Sequence, residues 1–509
     1  MAPTLASMGL ARHAIRFRPL AQVGLVLLSG LAVFFGLVSA LLPVWFVFAV
    51  LLVPVVAMVM LVRPEYGLTA LIALTCGLIH PAFVPRIPIL GGSVAAADAV
   101  LAMLAIQAVW MLATRQREAQ VTAVESARLL SVALALFGVS FVVAVAMSLG
   151  VKEVNPTWVL GEARRLVYLV TLPVAVVLMP QQAQQKRFVV GLVMLGCLFS
   201  VGQVLQGVFH IPVFGEKGRL VVLETMGRQD YGTTRSLTLG IEVIVFALLL
   251  TIGAYVLGAI RKPLFFAVAG LLLAGIFLSF GRTTFAVVAV CVVMVVYWLN
   301  LRKLGELAGL LVLVVAVASA LAISLKPAYF DAVYYRIASI DTEIKSGDSA
   351  QWRIWEAEEM LPHIQKYPLT GIGLGADYKG ANRSPDPDLN RYVHNAYLYM
   401  GGKMGLPALG FFLVAIFAIF AMGRRSARGN ASRWTRIVGA ACAAMMINFM
   451  LASVTEPHFM EDYSLVLIAV AGALVCLSAR HAAGVGTPTT TGRVGLAARS
   501  RLRGGTWCR

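Results

Sequence analysis

The sequence predicts an all-α polytopic membrane protein with about fourteen transmembrane helices and one large helical loop on the outer side. Three observations carry this. Hydrophobic residues make up 60% of the chain and charged residues 13%, with a mean hydropathy of +0.85, far from the balance of soluble domains. Apolar runs long enough to cross a hydrocarbon core, about 17–25 residues, recur along most of the chain. The charge between the runs is lopsided. With the N-terminus inside, the inward loops and both tails hold 24 of the 42 Lys and Arg but only four acids, Glu65, Glu118, Glu125 and Glu306. That is the positive-inside pattern. The net charge of +18 is therefore topological, and nucleic acid is not a partner.

The runs fall at 20–38, 44–62, 67–84, 95–113, 129–148, 165–180, 188–208, 237–259, 264–279, 283–299, 307–325, 403–422, 438–454 and 463–479. The first follows Arg12, Arg16 and Arg18 and resembles a signal peptide, but lacks a small-residue cleavage site before a soluble domain. It is read as an uncleaved span. Five of the six cysteines lie within apolar runs, where a thiol acts as a small apolar side chain, so no disulfide framework is expected. The tail, with GVGTPTTTGRVG and Arg493, Arg499, Arg501, Arg503 and Arg509, reads as disordered and basic. The resulting organisation is N-terminal spans over 1–236, central spans over 237–325, the large loop over 326–402, three C-terminal spans over 403–480, and the tail over 481–509.

Chemistry is expected in the large loop, because long ordered loops are usually functional. Asp348 with Gln351 three residues on forms a capping box that opens a helix through about Leu361, stopped by Pro362. Trp352 and Trp355 share a face of it, as anchors at a bilayer surface do. A glycine turn, Thr370-Gly-Ile-Gly-Leu-Gly375, follows and is read as a flexible turn bringing His394 toward the helix. His394-Asn395 then stands just before the next span.

Arg353 and Trp355, the run Tyr367-Pro-Leu-Thr-Gly-Ile-Gly, His394-Asn395-Ala-Tyr397-Leu, Gly402, Gly405-Leu406 and the earlier Ser279-Phe-Gly281-Arg282 together resemble the O-antigen ligase-like family. The likeness covers about residues 240–480. It implies a GT-C type membrane glycosyltransferase, for which about twelve spans is the alternative count. It further implies a bacterial inner-membrane location with both termini cytoplasmic and the site periplasmic. The donor would be an undecaprenyl-pyrophosphate-linked glycan and the acceptor a hydroxyl of lipid A-core or of a growing glycan, with no metal and no cofactor.

Under that resemblance His394 is the catalytic base, since an imidazole titrates near neutrality and can take a hydroxyl proton. The alternative is that it only precedes a helix that Asn395 caps. Arg282, Arg353, Arg165 and Arg235 are the diphosphate ligands, because a guanidinium binds phosphate oxygens bidentately and keeps its charge when desolvated. Arg282 stands in a connection too short to solvate a charge, and Arg165 and Arg235 are expected to open spans. Asn395 and Trp355 are supporting residues. Arg164, Arg219 and Arg228 are read as snorkelling or loop-packing residues.

Other chemistries fit less well. His80, His210, His363, His394 and His458 lie on the outer side, but none is paired at metal-ligand spacing. Asp386-Pro-Asp388 sits in NRSPDPDLN and reads as a proline-rich turn; the insert it belongs to could shape acceptor choice. A repeat-unit polymerase of the same family remains an alternative to a ligase. A lipid-linked glycan flippase would need mid-span charges, and only Asp98 and Glu242, both near the outer surface, are candidates.

Overall fold

The computed structural model describes residues 57–79, 87–89, 92–114, 127–209, 211, 213–214, 219–224, 230–279, 281–306, 308–309, 349–379, 390–429 and 431–482. The chain divides into two compact units, Met1–Pro64 and Glu65–Arg509. In the first, residues 57–62 are helical. The second contains α1 (Pro64–Thr75, from its second residue), α2 (Ala96–Thr114), α3 (Arg128–Gly150), α4 (Pro156–Val167), α5 (Thr171–Leu178), α6 (Gln182–Phe209), α7 (Ile241–Val256), α8 (Lys262–Leu278) and α9 (Arg282–Leu299). After these come α10 (Ser349–Lys366), α11 (Ala396–Met404), α12 (Leu406–Arg428), α13 (Arg433–Ala452) and α14 (Asp462–Ala482).

Among the described residues seven helices are long and apolar enough to cross a membrane: α2, α3, α6, α9, α12, α13 and α14, the last over Asp462–Arg480; α7 and α8 are apolar but shorter. The polytopic helical class stands. Fourteen spans are not reached among the described residues; the run at 20–38 and most of those at 44–62 and 307–325 lie outside them, as do Asp386, Asp388, His80, His210 and the tail beyond residue 482.

Several boundaries differ for identifiable reasons. The run at 67–84 stops as helix at Thr75, where Gly77 in the left-handed region (φ 72°) lets Leu78 N donate to Ala73 O. Gly258 (φ 66°) ends α7 in the same way. The run at 403–422 is two helices, because Gly405 (φ 88°) turns the chain between α11 and α12. The run at 165–180 is an uneven helix. Asn155 caps α4 by accepting from Thr157 N, with Pro156 as first residue, and a 3₁₀ turn at Tyr168–Val170 leads into α5. The α10 helix continues through Pro362 to Lys366; the carbonyl that loses its partner there is that of exposed Glu358, which water can satisfy.

Two short antiparallel hairpins stand among the helices of this predominantly helical fold. β1 (Ile87–Ile89) pairs with β2 (Gly92–Val94), and β3 (Arg219–Glu224) pairs with β4 (Asp230–Leu237). Each joins two helices through a connection that hydropathy alone reads as loop.

The core sits where α7, α9, α12, α13 and α14 meet. The apolar windows of α13 and α14 are 78% and 83% buried, against 22% for α2 and α3, so the C-terminal helices form the centre and the earlier ones the flank. Small residues allow the tight crossing of α12 on α13. A Cβ on Gly423 would stand 2.7 Å from Gly439 O, and one on Gly439 would stand 2.7 Å from Gly423 O. Gly439→Val is expected to destabilise the protein by about 1–3 kcal/mol through overpacking, read as a lower thermal midpoint in detergent, whereas Gly410→Val at an open position should not.

Candidate functional site

Three segments converge near the head of α12. The α10 helix packs on α11, and Trp352 and Glu356, one turn apart, face the segment before α11. Glu356 is 2% exposed in its side chain. His394 Nδ1 lies 3.0 Å from both Glu356 carboxylate oxygens, and the His394 backbone N–H donates to Oε2 at 2.9 Å. Trp352 Nε1 and Lys379 Nζ donate to Oε1 at 3.0 and 3.1 Å. Tyr392 stands edge-on to the imidazole, 5.0 Å between centroids. The ring of His394 is 31% exposed, so it is held firmly on one side and open on another.

Asn395 is the N-cap of α11, accepting from Tyr397 N and Leu398 N at 3.0 Å, and its amide donates to Val454 O at 3.1 Å. It thus holds His394 against the turn after α13, where Ser453 O also accepts Ala396 N. Tyr397 adds a bond to Met450 O and an edge contact with Phe459.

The glycine turn is a clamp and not a flexible hinge. Gly371, Gly373 and Gly375 all have positive φ, at 63°, 102° and 73°. Ile372 N and Gly373 N donate to Gly402 O and Lys403 O at the end of α11. Gly375 N donates to buried Glu162 of α4, which also receives Tyr399 OH and the buried Lys403 ammonium. Lys152 Nζ donates to Gly371 O. Gly371 and Gly375 accept a backbone, and Gly373 the Ser148 side chain, that an added side chain would block, and the packing makes the turn rigid.

The predicted arginines fall as follows. Arg165 lies near the end of α4 rather than opening a span, and bonds to Glu461 at 3.2 Å, beside the 3₁₀ turn (His458–Met460) that carries Phe459. Arg353 is half-buried on α10, three residues before Glu356. Arg282 is the first residue of α9 and half-buried. Cys291 Sγ donates to Ala444 O and Arg436 to Leu299 O, so α9 and α13 run antiparallel. That register sets Arg282 at the same end of the bundle as Ser453 and Asn395. Arg235 lies on β4 opposite Val221, ahead of α7 and not at its head. Trp355 is 41% exposed, and its ring meets Trp352 edge-on.

Sequence reasoning missed Glu356, Lys379 and Glu162. Helical spacing signals Glu356, one turn past Trp352, but nothing local ties it to a residue 38 positions on. Asp98 and Glu242 are also paired. Asp98 accepts from Arg164, Tyr168 and Ala95 N, and Glu242 meets Asn448 and His458. Among the described residues no three His, Cys, Asp or Glu gather as metal ligands.

On the other flank of α4 lies a cavity of about 760 Å³ walled by Leu101, Ala105, Phe141, Val145 and Leu160, with Arg164 at its polar end.

Residues 266–413 match the family model described as O-antigen ligase. The chain is therefore similar to O-antigen ligase-like proteins over a segment that begins in α8, contains α9, α10 and His394, and ends in α12. The match supports a ligase- or polymerase-type role in polysaccharide biosynthesis. A comparison with curated proteins finds no match.

Gly375→Ala should destabilise the site by about 1–3 kcal/mol, since the φ is strained for alanine and the Cβ would meet Val159 N at 2.6 Å; unchanged protease resistance of residues 367–379 would contradict this. Burial by itself would raise the Glu356 carboxyl, but its bonds to His394 and the nearby charges outweigh burial and hold it below its ordinary 4.5. A depressed folded value stabilises above the unfolded one, and that stability is lost as pH falls through the folded value. The thermal midpoint of wild type over Glu356→Gln should thus be greatest above pH 4.5 and shrink below it; a pH-independent difference would contradict the assignment.

Proposed function

We propose that this chain transfers a glycan from an undecaprenyl-pyrophosphate-linked donor to a hydroxyl acceptor, as an O-antigen ligase-like enzyme of the bacterial inner membrane with its site facing the periplasm and both termini cytoplasmic. The observation that carries the reading is His394: a half-exposed imidazole, gripped at Nδ1, within the segment similar to O-antigen ligases. Its other ring nitrogen, Nε2, takes the proton of the acceptor hydroxyl. The hydroxyl oxygen bonds to the anomeric carbon as the bond from that carbon to the donor phosphate breaks, and the electron pair leaves with the diphosphate. Base catalysis of this kind contributes roughly 10²–10⁴ in rate.

The donor is held by charge and by apolar surface. Arg282, Arg353 and Arg165 serve the diphosphate, with Arg235 joining them from its hairpin. Arg164 and Arg165 are neighbours on α4, one at the polar end of the apolar cavity and one toward the Tyr397–Phe459 side. A polyprenyl chain in that cavity would leave its diphosphate near Arg164. The acceptor is lipid A-core, or a growing glycan if the enzyme polymerises repeat units. Asn395 holds His394, and Trp355 rests at the membrane surface.

The test is a gel profile of surface and lipid-linked glycans in a strain lacking this protein, complemented with wild type or His394→Gln. Long lipid-linked chains with bare core are expected for a ligase, and single repeats for a polymerase. The variant should be made at normal levels and restore neither. An unchanged profile in the deletion strain would remove the function, and rescue by the variant would remove His394 as the base.

A further inference from the structure

A carboxylate taken out of water costs stability unless its oxygens are hydrogen-bonded, and Glu356 has donors on both. Oε1 takes Trp352 Nε1 and Lys379 Nζ, Oε2 takes the His394 backbone N–H, and the imidazole Nδ1 lies 3.0 Å from each. An ion pair with Lys379 alone would explain a buried acid, but it would require no contact with position 394. Instead the carboxylate grips that residue twice, by main chain and by ring. The first contact fixes where the residue sits and the second fixes how the ring turns. Tyr392, edge-on to the imidazole, limits rotation from another side. Because Lys379 and Trp352 hold Oε1, the carboxylate cannot swing away to follow the ring.

We propose that Glu356 is the positioning residue of this site: its carboxylate keeps the neutral His394 protonated on Nδ1 and leaves Nε2 as the lone pair that receives the acceptor proton. A carboxylate accepts and cannot donate, so the imidazole nitrogen facing it must carry the hydrogen. When Nε2 takes the hydroxyl proton the ring becomes a cation, and the adjacent anion stabilises it as charge develops. The proton then leaves Nε2 for solvent or for the departing diphosphate, and the dyad returns to its starting state. The role in transfer rests on His394 being the base proposed above; the tautomer does not.

The test pairs two readouts. In purified protein labelled with ¹⁵N-histidine, the signal lost in His394→Gln identifies the ring, and its nitrogen shifts, followed to a pH where the ring carries no charge, should report a proton on Nδ1 and none on Nε2. A neutral wild-type ring with its proton on Nε2 overturns the proposal with no variant required. Transfer from an undecaprenyl-pyrophosphate-linked glycan is then compared for wild type, Glu356→Gln and His394→Gln. The amide keeps the shape and an acceptor oxygen but loses the charge, so kcat should fall about 10²–10⁴-fold with KM within about twofold. A Glu356→Gln enzyme with wild-type kcat overturns the proposal while leaving the function intact. Absence of transfer by wild type sinks the function instead, and the ring signal still decides the tautomer.

Discussion

One buried carboxylate, Glu162, ties together the architecture around the site. It sits on the short helix α4, yet its oxygens take the amide of Gly375, the hydroxyl of Tyr399 and the ammonium of Lys403. It therefore joins three segments far apart in the chain: the N-terminal helices, the glycine turn and α11. A charge buried with too few partners would be strongly destabilising, so these segments can only assemble together. His394 inherits its position from that assembly, because α11 is the helix that Asn395 caps and the glycine turn fixes the other end of α11. The backbone between Thr370 and Ala376 meets its hydrogen-bonding needs mainly through α11 and α4, with few bonds of its own, which is how an irregular segment can be rigid.

The same logic explains which parts of the molecule could be read from the chain alone. Helices α2, α3, α6 and α9 follow their apolar runs within a few residues, because in a bilayer the backbone must bond internally and length alone nearly defines the element. Where a glycine takes a left-handed conformation, as at Gly77, Gly258 and Gly405, hydropathy continues but the helix does not, and apolarity carries no sign of that. The hairpins at 87–94 and 219–237 were hidden for the opposite reason, lying between apolar runs where a span search sees only connections.

At the site, Asn395 was legible as an N-cap from the asparagine itself, and His394 was legible through the family resemblance. Glu356 was not, since its meaning depends on a contact across 38 residues that no local pattern encodes. The glycine turn was read with the wrong mechanics: positive φ suggests freedom in isolation, whereas packing against Lys403, Ser148 and Val159 removes it. Arg165 and Arg164 illustrate a similar limit. Sequence shows two adjacent cations, but only the fold shows that Glu461 and Asp98 draw them to opposite flanks of one helix.

The way the chain closes around position 390 bears on how such a protein can diversify. Tyr378 N and Lys379 N both donate to Asn390 O, the Tyr378 hydroxyl donates to Tyr392 O, and Arg391 pairs with Asp377 while stacking on Trp158. The ends of the 380–389 excursion are thus stitched together independently of whatever lies between them. The fastening residues also reach the site, since Lys379 donates to Glu356 and Tyr392 stands against His394, so residues 380–389 can change in number or composition while those two contacts stay in place. Variation in sequence and constraint in position are therefore separable here, because the bonds that close the chain at 377–379 and 390–392 do not draw on the residues between.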